Sequence, residues 1–317
     1  MNKKKCPFCN SKNCIKKGFQ DKHQRWQCKE CKKKFQANQK VLPSKEELFC
    51  KYTFSKQTLS ELAQEYTIKT KTIQKSFDLI KIPKKKHDPR PISVVVDTTF
   101  FDVFGVVVFR DQKTKEDLWW KFALDEKLNY YWEGKRYLEN LGYTIRSVTG
   151  DGLPGLPSVF QGIPFQYCQF HAKKNIRKYI TKNPNLEPGI ELKKIMEDLK
   201  YYDHNTFLFL IENWEMKYKD FLKEKTYHPY SGWSYTHGRL RSAIRSMKRM
   251  SPYLFTYNKY DFFIPKTTNT LEGHFAHLKV RVGAHRGICV KRKKKLIELI
   301  LLNSSATFRK NMHKKLF

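Results

Sequence analysis

Four cysteines near the N-terminus stand in two C-x2-C steps, Cys6-Pro-Phe-Cys9 and Cys28-Lys-Glu-Cys31, with 18 residues between the pairs. Each short step points two thiolates into one tetrahedral site, and paired steps at this spacing indicate Zn2+ rather than unrelated thiols. The strand-like stretch RWQCKECKKKFQ supplies a hairpin that brings the two steps together. Cys14 lies between them without a C-x2-C neighbour and is left out of the ligand set. A module this small has almost no core, so metal binding would supply much of its folding free energy.

Farther along, carboxylates occupy positions where a carboxylate is costly. Asp97 follows Ser93-Val94-Val95-Val96 inside an apolar strand pattern, where an ionised group needs a cation or a buried donor. Asp151 closes a second strand pattern at VTGD, which places it at the same sheet edge. Asp102 is five residues beyond Asp97, an odd step that turns it to the opposite face. A third carboxylate, Glu272, lies in TTNTLEGHFAHLKVRVGAHRG, a helix pattern on which Asn269, Glu272 and Lys279 fall close to one face. Each acid has a purely structural alternative. Backbone amides can satisfy a strand-end aspartate, and Asn269-x-x-Glu272 can be a capping box. Matching places for the two aspartates, and their need for a third ligand, favour a set that holds two Mg2+ (or Mn2+) ions. His274 and His277 read as surface or phosphate-contacting groups. Cys168-Gln-Phe-His171 has no partner pair nearby, and a second zinc site would need two further ligands.

These residues need elements to carry them. PISVVVDTTFFDVFGVVVFRD has β-branched and aromatic runs on either side of a glycine, DLWWKFALD makes a third strand, and a helix from about Tyr130 to Asn140 follows. Then come TIRSVTGD, a short helix and IPFQYCQFH. Three strands, helix, strand, helix, strand is the order of an α/β fold with an RNase H-like catalytic core. Such a core carries its carboxylates on the first strand, the fourth strand and a late helix. Between Glu187 and Tyr260 the stretches GIELKKIMEDLKYY, NTFLFLIENWEMKYKDFL and GRLRSAIRSMKRM read as helices, an all-α insertion. Within it, Trp214 and Trp233 would either pack in the core or stack on an unpaired base.

Upstream, SKEELFCKYTF, TLSELAQEY and TKTIQKSFDLI are helical, with Thr58 and Thr70 as N-caps and a tight turn before the last. This is a helix-turn-helix pattern, whose last helix would offer Lys69, Lys71, Gln74 and Lys75 to DNA. The Pro- and Lys-rich KIPKKKHDPRP reads as a linker. The division is a zinc ribbon over 1–42, a helix-turn-helix over 43–82, a linker over 83–91, the first part of the core over 92–186, the helical insertion over 187–260, and the second part of the core over 261–317. The tail KRKKKLIELILLNSSATF reads as a basic turn and a packing helix.

Lys and Arg number 63 against 30 Asp and Glu, a net charge of +33, and a polyanion is the natural partner of such a surface. The ribbon adds Lys3 to Lys5, Lys16, Lys17, Lys22, Lys29 and Lys32 to Lys34 to that charge. The basic residues are spread along the chain and no apolar run approaches ~20 residues, so no membrane is expected. The N-terminus lacks an apolar segment behind its positive start, so a reducing, cytoplasmic location is expected.

VVVDTTFF, VTGDGLPGL followed by CQFH, and TTNTLEGHFAHLKVRVGAHRG together resemble the Mutator-like DDE transposases, including bacterial insertion-sequence enzymes, over most of Pro91 to Gly287. The N-terminal ribbon and helix-turn-helix are similar to the arrangement in some insertion-sequence members. The resemblance implies that Asp97, Asp151 and Glu272 are the catalytic acids. It also implies that Cys168 and His171 belong to the frame of the active site, His171 touching the scissile phosphate or orienting a carboxylate. Arg239, Arg241, Arg245, Lys279 and Arg281 become candidates for contact with double-stranded DNA. The expected reaction is Mg2+-dependent strand cleavage and strand transfer by a homodimer or larger synaptic assembly, in a bacterial cytoplasm in association with the nucleoid. The rivals are a zinc-ribbon and helix-turn-helix transcription regulator, and a nuclease of the same fold that does not join strands.

Overall fold

The computed structural model describes residues 5–20, 23–36 and 42–304. Lys3, Lys4, Lys22 and the end of the C-terminal tail lie outside them. The chain divides into two compact units between Lys81 and Ile82.

The first unit opens with a three-stranded antiparallel sheet, β1 (Cys14–Gln20), β2 (His23–Cys28) and β3 (Lys34–Gln36), in that order. Among the described residues, its buried apolar cluster is Cys6, Cys28 and Phe35. Three helices follow, α1 (Lys45–Phe54), α2 (Leu59–Tyr66) and α3 (Thr70–Asp78). Ser44 with Glu47 and Thr58 with Glu61 close capping boxes that fix the first two starts. Thr70 is not the third cap: Lys69 holds that position without a side-chain bond, and Thr70 is the first helical residue. Thr67 turns the chain between α2 and α3 with a left-handed φ of 57°. Leu48, Phe49, Tyr52, Leu62, Ile73 and Phe77 are buried on the three helices, and Ile80, just past α3, is buried as well.

The second unit is mixed α/β. Its five strands are β4 (Pro91–Phe101), β5 (Phe104–Asp111), β6 (Asp117–Ala123), β7 (Thr144–Gly150) and β8 (Phe165–Tyr167), in the spatial order β6-β5-β4-β7-β8. Adjacent pairs among β4, β5 and β6 are antiparallel, whereas β7 runs parallel to β4 and β8 parallel to β7. Every residue of β5 is buried, as expected of a strand covered on both faces. The crossover from β6 to β7 is α4 (Leu128–Asn140), and its Gly134 allows close approach to the sheet: a Cβ there would lie 2.6 Å from the Phe109 ring. A short α5 (Leu156–Val159) joins β7 to β8. The end of the expected linker is docked, with Arg90 Nη2 2.9 Å from Asp111 Oδ2 and the Tyr143 hydroxyl accepting from the Asp88 amide at 3.2 Å.

After β8 come α6 (Gln169–Ile180), α7 (Glu187–Glu197) and α8 (His204–Lys217). The insertion over 187–260 is not all-α as expected. A hairpin of β9 (Lys225–His228) and β10 (Gly232–Tyr235) stands between α8 and α9 (Gly238–Leu254). Its strands are short and lie between strongly helical stretches, so helical periodicity masked them. One buried cluster runs from Val94 and Phe109 in the sheet through Phe207, Trp214 and Met247, so the insertion shares the core of the sheet. Trp214 is a core residue, its indole N–H donating to the Pro188 carbonyl at 3.0 Å.

The chain closes on α10 (Asn269–Gly283) and α11 (Val290–Leu302). A buried ionic group ties them to the sheet. Asp117 lies 2.6 Å from Arg110 Nη1 and 2.8 Å from His274 Nε2, and its amide donates to Ser304 Oγ at 2.7 Å. His274 is therefore not a surface group, whereas His277 is exposed. Against the opposing effect of burial, His274 and then Arg110 hold the Asp117 carboxyl below its ordinary range. Asp117→Ala strands a buried guanidinium, and it is expected to lower stability to urea by about 3–5 kcal/mol.

Candidate active site

β4 and β7 bring the two aspartates together. Their parallel register pairs Val95 with Thr149, and continuing it two residues along each strand sets Asp97 level with Asp151. Asp97 is buried, and its Oδ1 accepts from the Thr98 amide at 2.9 Å. Asp151 lies just past β7, half-buried, and its Oδ1 accepts from the Leu153 amide at 3.0 Å. Gly152 has no room for a side chain, because a Cβ there would fall 1.4 Å from the Tyr167 hydroxyl. The backbone that carries Asp151 is thereby pressed against β8.

Glu272 arrives from far along the chain, and a set of bonds places it. Thr149 Oγ1 donates to the Pro265 carbonyl at 2.8 Å, and the Gln169 amide to the Lys266 carbonyl at 3.0 Å, so the approach to α10 is pinned to β7 and α6. The Cys168 amide donates to the Gly150 carbonyl at 2.8 Å. Thr268, fully buried, is the centre of the group. Its amide and hydroxyl each lie 3.3 Å from Cys168 Sγ, and its hydroxyl lies 3.4 Å from His171 Nδ1 and 2.9 Å from Glu272 Oε1. His171 Nε2 is 3.6 Å from the same Glu272 oxygen. The capping-box alternative does not form: Thr268 is the N-cap, and Glu272 is held by its hydroxyl rather than bonded to Asn269.

Electrostatics marks the spot. Burial, and then the charge of Asp151 with smaller effects from Glu126 and Glu272, push the Asp97 carboxyl up to about 8, against the Thr98 amide. Glu126 is a fourth carboxylate that the sequence reading missed. It precedes α4 in a turn, accepts from the buried Tyr131 hydroxyl, and is raised by burial and by Asp151 despite that bond. Thr98 Oγ1 lies 3.0 Å from the same hydroxyl, which links Glu126 to the residue after Asp97. Carboxylates that raise one another in this way suit a hard cation bound through oxygen. Cys168, His171 and Glu272 also offer ligand atoms within 4.8 Å of one another. The thiol is raised by burial and already holds Thr268, so Cys168 serves as framework.

In the first unit, Cys6, Cys9, Cys28 and Cys31 form a second cluster that could hold a metal such as zinc, with ligand atoms within 4.8 Å of one another. Two cross pairs, Cys6 with Cys31 and Cys9 with Cys28, have sulfurs 3.5 Å apart, near the ~3.8 Å edge of a tetrahedral zinc–thiolate site. Against burial, backbone N–H groups of Cys31 and Glu30 lower Cys28 to about 6. Cys9 is pushed up to about 12 by burial and its thiol neighbours, although a Ser11 hydrogen bond opposes this. Four such sulfurs ionise together only around a cation.

The expected DNA contacts are dispersed. Lys69, Lys71 and Lys75 are exposed on and beside α3, and Gln74 is half-buried. On α9, Arg245 is exposed, whereas Arg239 donates to the Lys178 carbonyl and Arg241 to the Leu222 carbonyl. Lys279 lines an open cleft of about 440 Å³ with Asp102, Arg286 and Lys293. Arg281 is half-buried. Among the described residues no helix is long and apolar enough to cross a membrane.

No family model matches the chain, and no curated protein matches it. Among solved structures, it is similar to a chain of the Drosophila P element transposase strand transfer complex, with 11% identity over 86% of this chain and 94% of that one, at a TM-score of 0.40.

Proposed function

We propose that the chain is a DNA transposase of the insertion-sequence type, with an RNase H-like core that cleaves and joins DNA strands. The observation that carries the reading is the level placement of Asp97 on β4 and of Asp151 just past the parallel β7, with the charge of Glu272 acting on the same buried carboxyl. The 3-2-1-4-5 order of the sheet strands supports it. Asp97, Asp151 and Glu272 would hold Mg2+ (or Mn2+), and their all-oxygen donor set fits those ions. When bound, two such ions supply the Lewis acidity that activates water or a 3′-hydroxyl and stabilises the leaving oxygen. Thr268 and His171 hold Glu272 in its rotamer, and Gly152 keeps the Asp151 backbone against β8. The four-cysteine ribbon and the helix-turn-helix of α2 and α3 would read the ends of the element, and joining two ends calls for a dimer or larger assembly.

The test is cleavage and joining of DNA carrying the ends of the element, wild type against Asp151→Ala. Mg2+-dependent products that vanish in the variant sustain the reading. Cleavage without joining of pre-cut 3′ ends turns it into a nuclease, and DNA binding with no Asp151-dependent chemistry turns it into a regulator. Thr268→Val removes the hydroxyl that orients Glu272 and is expected to lower cleavage by about 10²-fold, with Thr268→Ser retaining most of it.

A further inference from the structure

The β9–β10 hairpin leaves the helical layer with every strand residue exposed except the half-buried Gly232. Its register sets Trp233 opposite Tyr227 and Tyr235 opposite Lys225. Alternate residues share a face, so these four side chains lie together, with Thr226, His228 and Ser234 on the other side. The polar side is satisfied internally: His228 Nε2 lies 3.1 Å from Ser234 Oγ, and the Thr226 and Thr236 hydroxyls are 2.8 Å apart. Among the described residues, cations lie against the aromatic side. Lys225 Nζ is 4.1 Å from the Trp233 ring centroid and the Arg241 guanidinium 3.7 Å from that of Tyr235. Trp233 remains 57% exposed, Tyr227 74%, and Tyr230 at the tip is wholly exposed. The nearby acids are engaged, Glu224 with His237 at 2.9 Å and Asp220 with Lys223 at 3.1 Å.

We propose that this face is a stacking platform for an unpaired base of a DNA strand. Aromatic faces accept any base, and cations at their rim meet the flanking phosphates. A second copy of this chain would bring the same positive charge to the face and be repelled, whereas a nucleic acid complements it. The hairpin is anchored rather than loose. The Thr236 amide donates to the Glu224 carbonyl at 2.9 Å, and Arg241 ties its base to Leu222 at 3.0 Å. α9, which follows it, packs on β8 and on α6, the helix that Cys168 caps and that carries His171. The proposal rests on the reading of the chain as a DNA-processing enzyme and adds the site where a melted strand is held.

The experiment titrates the full chain, without divalent ions, into a single-stranded oligonucleotide and into a duplex with one unpaired nucleotide, each carrying 2-aminopurine. Quenching is expected with the wild type, and the Tyr227→Ala, Trp233→Ala double variant is expected to bind both about tenfold more weakly. Binding to a fully paired duplex and the melting temperature should not change, because neither side chain is buried. Equal quenching by wild type and double variant overturns the platform, as does wild-type duplex binding without any quenching. A double variant that loses self-association but keeps single-strand binding makes the face a protein interface and also overturns it. Cleavage dependent on Asp151 is scored separately. Its absence beside a Trp233-dependent quench leaves the platform standing and removes the transposase reading.

Discussion

Asp97→Asn is expected to lower strand cleavage by about 10³-fold or more, because losing a cation ligand forfeits several kcal/mol of transition-state stabilisation. The same change should make the metal-free protein more heat-resistant at pH 8. The folded chain keeps the Asp97 proton up to about 8, whereas the unfolded chain releases it near the ordinary aspartate value of 3.8. A carboxyl raised on folding stabilises fully below the unfolded value, and that contribution is lost as pH rises through the folded one. The wild-type melting temperature without metal should therefore fall between about pH 4 and pH 8, and Asn at this position should flatten that slope. Mg2+ should raise the wild-type melting temperature most near pH 8, where it no longer competes with a proton, and should hardly move that of Asp97→Asn. Melting curves across this range, with and without Mg2+, check the slope, and single-turnover cleavage checks the rate.

Stripping the four-cysteine cluster of metal, or replacing Cys28 by Ser, is expected to unfold residues 5–36 outright. Structural zinc contributes about 10–16 kcal/mol to comparable small modules near neutral pH, and the buried apolar cluster of this sheet is two of the cysteines and Phe35. The core of α1 to α3 contains none of the four cysteines, and neither does the five-stranded sheet, so both should melt as before. Binding selective for the ends of the element should disappear, while non-selective binding driven by the +33 charge should persist and weaken steeply with salt. Elemental analysis for one zinc per chain, with limited proteolysis before and after chelation, is the check. Intact residues 5–36 after complete metal removal would contradict it.

The parts of the fold that periodicity controls were legible. The run of Val before Asp97 and the VTGD step declared two strands, and a carboxylate in such a run is conspicuous because it is costly. The paired C-x2-C steps declared their cluster through spacing alone. Residues whose role depends on closeness across the chain were not legible. Glu126 sits in an ordinary charged turn until the fold brings Asp151 into its field. Thr268 is one of two adjacent threonines, and only its contacts to Cys168, His171 and Glu272 separate it from Thr267. The pairing of His274 with Asp117 joins α10 to β6, which no local pattern announces. Thr70 is a good capping residue on propensity, yet the turn at Thr67 sets the start of α3 one residue earlier.

On the proposed function, Asp97, Asp151 and Glu272 form one centre for two divalent ions. The most direct measurement is Mn2+ binding followed by electron paramagnetic resonance on the zinc-loaded chain bound to DNA. Two Mn2+ per chain are expected in the wild type, with the single-ion signal broadened by coupling between ions ~4 Å apart. Asp97→Asn and Asp151→Asn should each abolish that coupling. Mn2+ binding that is uncoupled in the wild type, or unchanged in both variants, would rule out a shared two-ion centre.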